Sequence, residues 1–400
     1  MSSIRSLYLT HVAQTSEMSM CFEVDRAEGV YIYDPNGRPY IDFNSGIAVS
    51  SLGHCHHDVV NAVKTQAETY MHTMVYGEHI QQPQVSYAQL LSEVLGEGLD
   101  CIYYVNSGSE AVEAALKLAR KATGRSEIIS CANAYHGSTI AAESLRSDDS
   151  FTRNFLPTIP GVKHIRFNHP EDLDHITTDT ACVILEPVQA EGGIHPPEND
   201  YLQHVRKRCY KTGTLMILDE IQTGFGRTGM MFAHQKYDVK PDILLIAKAM
   251  GGGMPIGGVV SSKTILHQLA SKPALGHITT FGGHPVCVAA ALATLKLLLT
   301  QPIIKDVEDK ENLIKSYLVH PLIKSIRSSG LMMSVQLTSP KFLTPVIDQA
   351  IANGVLIDYF LFDNESFRIA PPLIITPEQI KDACERILLA LDTVMSQSHA

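Results

Sequence analysis

Three apolar runs that each stop on a charged side chain limit what this chain can fold into. They are residues 181–186, ending on Glu186, residues 214–219, ending on Asp219, and residues 241–248, ending on Lys248. None alternates polar and apolar positions, so each reads as a strand buried on both faces, the pattern of a central strand in a parallel sheet. In open sheets of that kind, functional groups at the carboxyl ends of neighbouring strands meet in one crevice. A lysine held there is stripped of water beside the glycine-rich turn 251–258, and its amine becomes nucleophilic near neutral pH. A buried carboxylate such as Asp219 is costly unless it faces a cation or a protonated nitrogen.

The rest of the chain extends this picture. Helical patterns alternate with apolar strands from about residue 55 to 285, which predicts an α/β fold with a mainly parallel sheet. Four hundred residues exceed one ordinary core. We expect an N-terminal arm with part of a small domain over 1–50, a large domain over 51–290, and a smaller α+β domain over 291–400. Within the arm, Asp34-Pro35-Asn36-Gly37 separates two β-forming runs and predicts a hairpin. The stretch 285–299 is apolar but interrupted by Lys296, and reads as a buried helix that is too short to span a bilayer.

A formal net charge of −10, with no basic cluster, argues against nucleic acid as a partner. The eight cysteines are scattered without a Cys-x-x-Cys pair, and no secretory segment stands at the N-terminus, which reads as a reduced, cytoplasmic chain. The cluster Gly53-His54-Cys55-His56-His57-Asp58 offers consecutive ligand types that converge poorly on one ion, so we expect a structural role and no metal. The run 71–76 reads as a core or dimer-interface segment near the substrate entrance.

An anion site is legible at Ser107-Gly108-Ser109, immediately before the strongly helical stretch 111–120. Free amides and the positive end of the helix dipole suit a phosphate dianion. The alternative is that Ser109 only caps the helix. No nucleotide P-loop pattern is present. Pyridoxal 5'-phosphate combines an aldehyde for a lysine, a ring nitrogen for a carboxylate and a phosphate for a helix start.

The ordered segments 106–120, 134–139, 185–193, 218–229, 241–258, 277–285 and 367–372 resemble the class III, acetylornithine/ornithine-like aminotransferases of pyridoxal phosphate fold type I. The likeness implies a large domain with a mainly parallel seven-stranded sheet, a homodimer with its active site at the interface, and ping-pong transfer of an amino group from an amino acid or ω-amine to a keto acid. The implied acceptor is 2-oxoglutarate, with pyruvate as runner-up.

The resemblance also implies roles for individual residues. Lys248 would form a Schiff base with the cofactor and Asp219 would pair with its ring nitrogen. Gln222 would approach the phenolic oxygen, Tyr135 would stack on the ring with His136 beside it, and Glu186 would lie on the substrate side. Ser107, Gly108 and Ser109 would hold the phosphate together with Thr280 of the partner subunit. Arg368 would bind a substrate carboxylate, and Glu191 would neutralise it when another substrate end enters. One position departs from the pattern: where the acetylornithine, ornithine and γ-aminobutyrate enzymes usually carry an arginine after His-Gly, this chain has Ser138, which lacks the charge to clamp a carboxylate. An ω-amine donor without a carboxylate at that end fits the serine better. Another reaction on the same scaffold, such as that of an aminomutase, racemase or lyase, is the alternative to transamination.

Overall fold

In the computed structural model, residues 3–17 and 20–398 are described. The large sheet has seven strands: β1 (Cys101–Val105), β2 (Glu127–Cys131), β3 (Val162–Ile165), β4 (Thr180–Leu185), β5 (Leu215–Asp219), β6 (Ile243–Ile246) and β7 (Gly257–Ser261). Their spatial order is β1-β7-β6-β5-β4-β2-β3. The β2–β3, β2–β4, β4–β5 and β5–β6 ladders are parallel, and β7 alone runs antiparallel, to both β1 and β6. The expected mainly parallel seven-stranded sheet is therefore present. Every residue of β4 and β6 is buried, as are the last four of β5, which accounts for their unbroken apolar composition. The carboxyl ends of these three neighbours lie side by side.

The helix after β1, Gly108–Thr123, lies against this sheet through Ala111, Ala114, Ala115 and Leu118, all fully buried. Its start is set by Ser107, whose Oγ accepts from the Glu110 amide at 3.2 Å, so the capping role suggested for Ser109 belongs to Ser107. Gly124, at φ +70°, ends the helix in the left-handed conformation. At the other side of the crevice, a Cβ on Gly257 would come within 2.5 Å of the Ser107 carbonyl oxygen. Only glycine lets the start of β7 approach the Ser107 backbone this closely.

The N-terminal hairpin forms where its turn residues place it: Tyr31–Tyr33 pairs antiparallel with Pro39–Asp42, and Asp34 Oδ1 accepts from the amides of Asn36 and Arg38. Pro39–Asp42 in turn pairs parallel with Val355–Leu356, tying the N-terminal region to the C-terminal one. A second four-stranded sheet contains Ile323–Ser328, Met333–Leu337, Ser366–Ile369 and Asp358–Tyr359. The apolar stretch near residue 285 is the helix Pro285–Thr300, packed on His57–Thr69 and Gln82–Leu95.

The histidine-rich cluster supports the backbone. His54 Nε2 lies 2.8 Å from Asp42 Oδ2, and His56 Nδ1 accepts from the Asp58 amide at the start of His57–Thr69. Among the described residues, no three His, Cys, Asp or Glu side chains converge as a metal site.

Arg227 joins distant segments through the core. It is fully buried, and its guanidinium donates to the carbonyl oxygens of Leu331 and Pro371 and to Ser51 Oγ. Burial pushes its pKa down to about 9, with nearby Asp42 acting in the opposite sense. Replacing Arg227 with leucine leaves these acceptors without their donor, and each buried orphan costs about 1–3 kcal/mol. Urea denaturation of Arg227→Leu should show a loss of about 3 kcal/mol or more; wild-type stability would show that the acceptors find other partners.

Candidate active site

The ends of β1, β2, β4, β5 and β6 enclose a cavity of about 380 Å³. It is lined by Ser107, Gly108, Ser109, Tyr135, His136, Glu186, Asp219, Gln222 and Lys248, nine of the positions singled out from the sequence. Asp219 ends β5 and is buried. Its Oδ2 lies 2.7 Å from His136 Nδ1 and its Oδ1 accepts from the Ile221 amide at 3.0 Å. The carboxylate is thus fixed in orientation, while His136 Nε2 is buried without a partner.

Lys248 lies two residues beyond β6, at the start of a 3₁₀ turn Lys248–Gly251, with φ +47°. A non-glycine residue in that region is uncommon and marks local strain at a position fixed by its surroundings. Burial lowers the pKa of its amine, Glu191, Asp219 and Glu186 oppose the shift, and Arg368 adds to it. Glu186 moves the other way. Burial raises its pKa well above the carboxylate range, the charges of Asp219 and Glu191 add to the rise, and the Ala190 amide and Lys248 oppose it. Glu186 Oε1 accepts from the Ala190 amide at 3.4 Å, whereas Oε2 is buried without a partner.

The corner of the cavity beside the helix start is shaped by missing side chains. A Cβ on Gly137, at φ +127°, would lie 2.2 Å from Ser109 Oγ, and one on Gly108 would lie 2.8 Å from Ile221 Cδ1. Backbone amides at the helix start, Ser109 and this narrow corner together suit a phosphate.

Arg368 and Glu191 form a buried pair beside the cavity, with Nη2 to Oε2 at 2.7 Å. Glu191 Oε2 also accepts from the Leu361 amide, and the guanidinium lies 4.6 Å from the Phe360 ring centroid. Arg368 Nε and Nη1 are buried and unpartnered, leaving donor capacity for a further acceptor. Ser138 is exposed and does not line the cavity, although its Oγ lies 3.4 Å from the Tyr135 hydroxyl. Thr280 lies outside the cavity too, in a separate pocket with Glu110 and Glu113.

Sequence reading missed two contributors. One is Val49, which lines the cavity after a turn in which Ser45, Gly46, Ile47 and Ala48 all have φ between +53° and +63°. The Ser45 amide donates to Asp42 Oδ1 at 2.7 Å and its Oγ donates to the Ala370 carbonyl at 2.6 Å, which hold that turn. Gly46 was its one visible signal. The other is the His136–Asp219 contact, which spans 83 positions and leaves no local trace.

Comparison with known proteins decides the family. The family model for class III aminotransferases matches residues 12–391. The chain belongs to the class III aminotransferases. It is 39% identical to the acetylornithine aminotransferase of Methanocaldococcus jannaschii over 387 residues, covering 92% of each chain. It is 35% identical to that of Bacillus subtilis over 376 residues, covering 92% of this chain and 94% of the relative. Among solved structures, the ornithine aminotransferase from Toxoplasma gondii superposes with a TM-score of 0.91 at 30% identity, covering 98% of this chain and 94% of that one. This class III aminotransferase is a pyridoxal-phosphate-dependent transaminase acting on small molecules. Among its described residues, no helix is long and apolar enough to cross a membrane.

The cavity fits the cofactor: a fixed carboxylate, a desolvated amine and a helix start left open at Gly108 and Gly137 occur in one enclosure. Filling the corner should weaken that fit. Gly137→Ala places a Cβ on Ser109 at a strained φ, and we expect pyridoxal phosphate affinity to fall about ten-fold or more, equivalent to about 1.4 kcal/mol. Titration followed by absorbance measures it; unchanged affinity would show that the corner does not hold the phosphate.

Proposed function

We propose that Lys248 is the residue to which the cofactor aldehyde attaches and that Asp219 pairs with the protonated ring nitrogen. The observation that carries this reading is the single cavity containing the Lys248 amine, the Asp219 carboxylate and the helix start at Ser107-Gly108-Ser109. When bound, pyridoxal phosphate supplies an electron-withdrawing ring that stabilises negative charge on the substrate carbon. Every other part of the mechanism falls to side chains of the protein. Burial favours the neutral form of the Lys248 amine, the form that attacks an aldehyde and that takes a proton from the substrate carbon. Asp219, held by His136 and the Ile221 amide, keeps the ring nitrogen protonated without having to reorient.

Ser107, Gly108 and Ser109 hold the phosphate in this scheme, completed by Thr280 of the partner subunit in a homodimer. Tyr135, His136 and Gln222 line the same cavity; Tyr135 would cover one face of a bound ring, with His136 beside it, and Gln222 would approach the phenolic oxygen. Glu186 faces the substrate side, where burial raises its pKa, favours the neutral acid and so lessens repulsion of an anionic substrate. Arg368 receives a substrate carboxylate, and Glu191 neutralises it otherwise, as their 2.7 Å contact supports.

The substrates we propose are an amino acid or ω-amine donor of acetylornithine or ornithine type and 2-oxoglutarate as acceptor, used in ping-pong order in the cytoplasm. The acetylornithine aminotransferases at 35–39% identity support the donor class. A division into an arm and part of a small domain over 1–50, a cofactor-binding domain over 51–290 and a C-terminal domain over 291–400 accompanies this reading.

The test is a visible spectrum of purified protein before and after single donors (N-acetylornithine, ornithine, lysine, γ-aminobutyrate, β-alanine, taurine, glutamate) without any acceptor. At least one donor should convert the cofactor to its amino form. A cofactor band that no donor on the panel converts would contradict the proposed donor class. Lys248→Ala should remain folded and lose turnover by more than about a thousand-fold, as expected for loss of a nucleophile and proton carrier; activity within a few fold of wild type would remove Lys248 from the reaction.

The lowered pKa of Lys248 sets a direction with pH. Its neutral form persists below the ordinary lysine value of 10.5, so reloading of stripped protein with pyridoxal phosphate should stay fast as pH falls through that range and slow only at lower pH. A loading rate that collapses near 10.5 would contradict the burial argument.

A further inference from the structure

A second arginine–glutamate pair stands beside the crevice, and the proposed function makes no use of it. Arg146 is 9% exposed, and its guanidinium lies 4.9 Å from the ring centroid of Tyr135 and 5.3 Å from that of Phe151. Nη2 donates to Ser138 Oγ at 3.1 Å and points to the Gly137 carbonyl at 3.5 Å. Nε sits 3.2 Å from Glu143 Oε2 without hydrogen-bond geometry, and Glu143 Oε1 is buried and unpartnered. Nη1 makes no hydrogen bond among the described residues. The guanidinium thus has a counter-charge nearby and most of its donor capacity unused.

This pair is one residue from the cavity, because Tyr135 and Gly137 line it. On its far side Phe151 packs edge-on against Phe362 at 5.5 Å, and the Phe362 amide donates to the Glu191 carbonyl. Arg146–Glu143 and Arg368–Glu191 are therefore joined through two aromatic rings and one backbone bond. Ser138 is short and exposed, so a carboxylate displacing its Oγ from Nη2 could also engage Nη1, the two-point geometry that guanidinium groups favour.

We infer that Arg146 is a specificity-determining residue that binds the second carboxylate of a dicarboxylic substrate, with Glu143 neutralising it when the substrate has none at that end. Arg368 takes the other carboxylate. The substrate concerned is the dicarboxylic keto acid already proposed as acceptor, with the amino acid formed from it; what is new is the residue that holds its second carboxylate. This inference rests on the transaminase site proposed above.

The test uses the holoenzyme and two unreactive ligands, glutarate with two carboxylates and valerate with one, titrated against cofactor absorbance. Arg146→Gln should weaken glutarate about ten-fold or more, the scale of losing a charge-assisted pair, and leave valerate within about two-fold. Glu143→Gln, which removes the competing carboxylate, should tighten glutarate. Equal weakening of both ligands, or no change in either, overturns the inference and leaves Arg146 a structural residue. Should Arg146→Gln fail to fold, Glu143→Gln decides alone, and unchanged glutarate affinity is the contrary result. Conversion of the cofactor by donor alone, measured on the same wild-type sample, shows separately whether the underlying site reading stands.

Discussion

The buried carboxylate of Asp219 is the constraint on which the site depends. It ends a strand enclosed on both faces, where an uncompensated charge is costly, and it is met by a His136 nitrogen at 2.7 Å and the Ile221 amide at 3.0 Å. Those two contacts leave it oriented at the mouth of the sheet. The parallel neighbours β4 and β6 bring Glu186 and Lys248 to the same edge, and the helix after β1 turns its amino end toward them. A cofactor with a basic ring nitrogen, an aldehyde and a phosphate satisfies each of these groups at once.

Charge in the crevice is arranged so that neighbours divide their protonation states. Burial drives Lys248 toward the neutral amine and Glu186 toward the neutral acid, while Arg368 and Glu191 pair at 2.7 Å. In the role proposed for Lys248, a bias toward the neutral amine favours taking a proton from a substrate carbon. The strained φ of Lys248 is consistent with a backbone fixed by its surroundings rather than by local preference.

Much of this was legible in the sequence because of where the strands lie. Strands β4, β5 and β6 announce themselves as unbroken apolar runs since both faces are covered, and the Asp34–Gly37 turn marks its hairpin through side-chain bonding to its own backbone. Strand β7 gave no sign of its antiparallel direction, because Gly257 answers to the Ser107 backbone and Gly258 to the Ile102 and Ile246 side chains on its neighbours, and not to a pattern of their own. Ser107 and Ser109 are equally good caps on paper, and only the backbone conformation at residue 107 chooses between them. The His136–Asp219 contact depends on segments brought together by the sheet, and the approach of Arg146 to Ser138, eight positions apart, on the path of the connection that holds both. Residue type alone pointed to Ser138 as a lost charge, whereas the structure sets an arginine 3.1 Å from it.

In the proposed site the cofactor attaches at Lys248 and nowhere else. Borohydride reduction of the holoenzyme, followed by proteolysis and mass mapping, fixes the cofactor to whichever amine holds it. One reduced pyridoxyl adduct is expected, on Lys248. An adduct on another lysine, or none on a protein that retains its visible cofactor band, would contradict it.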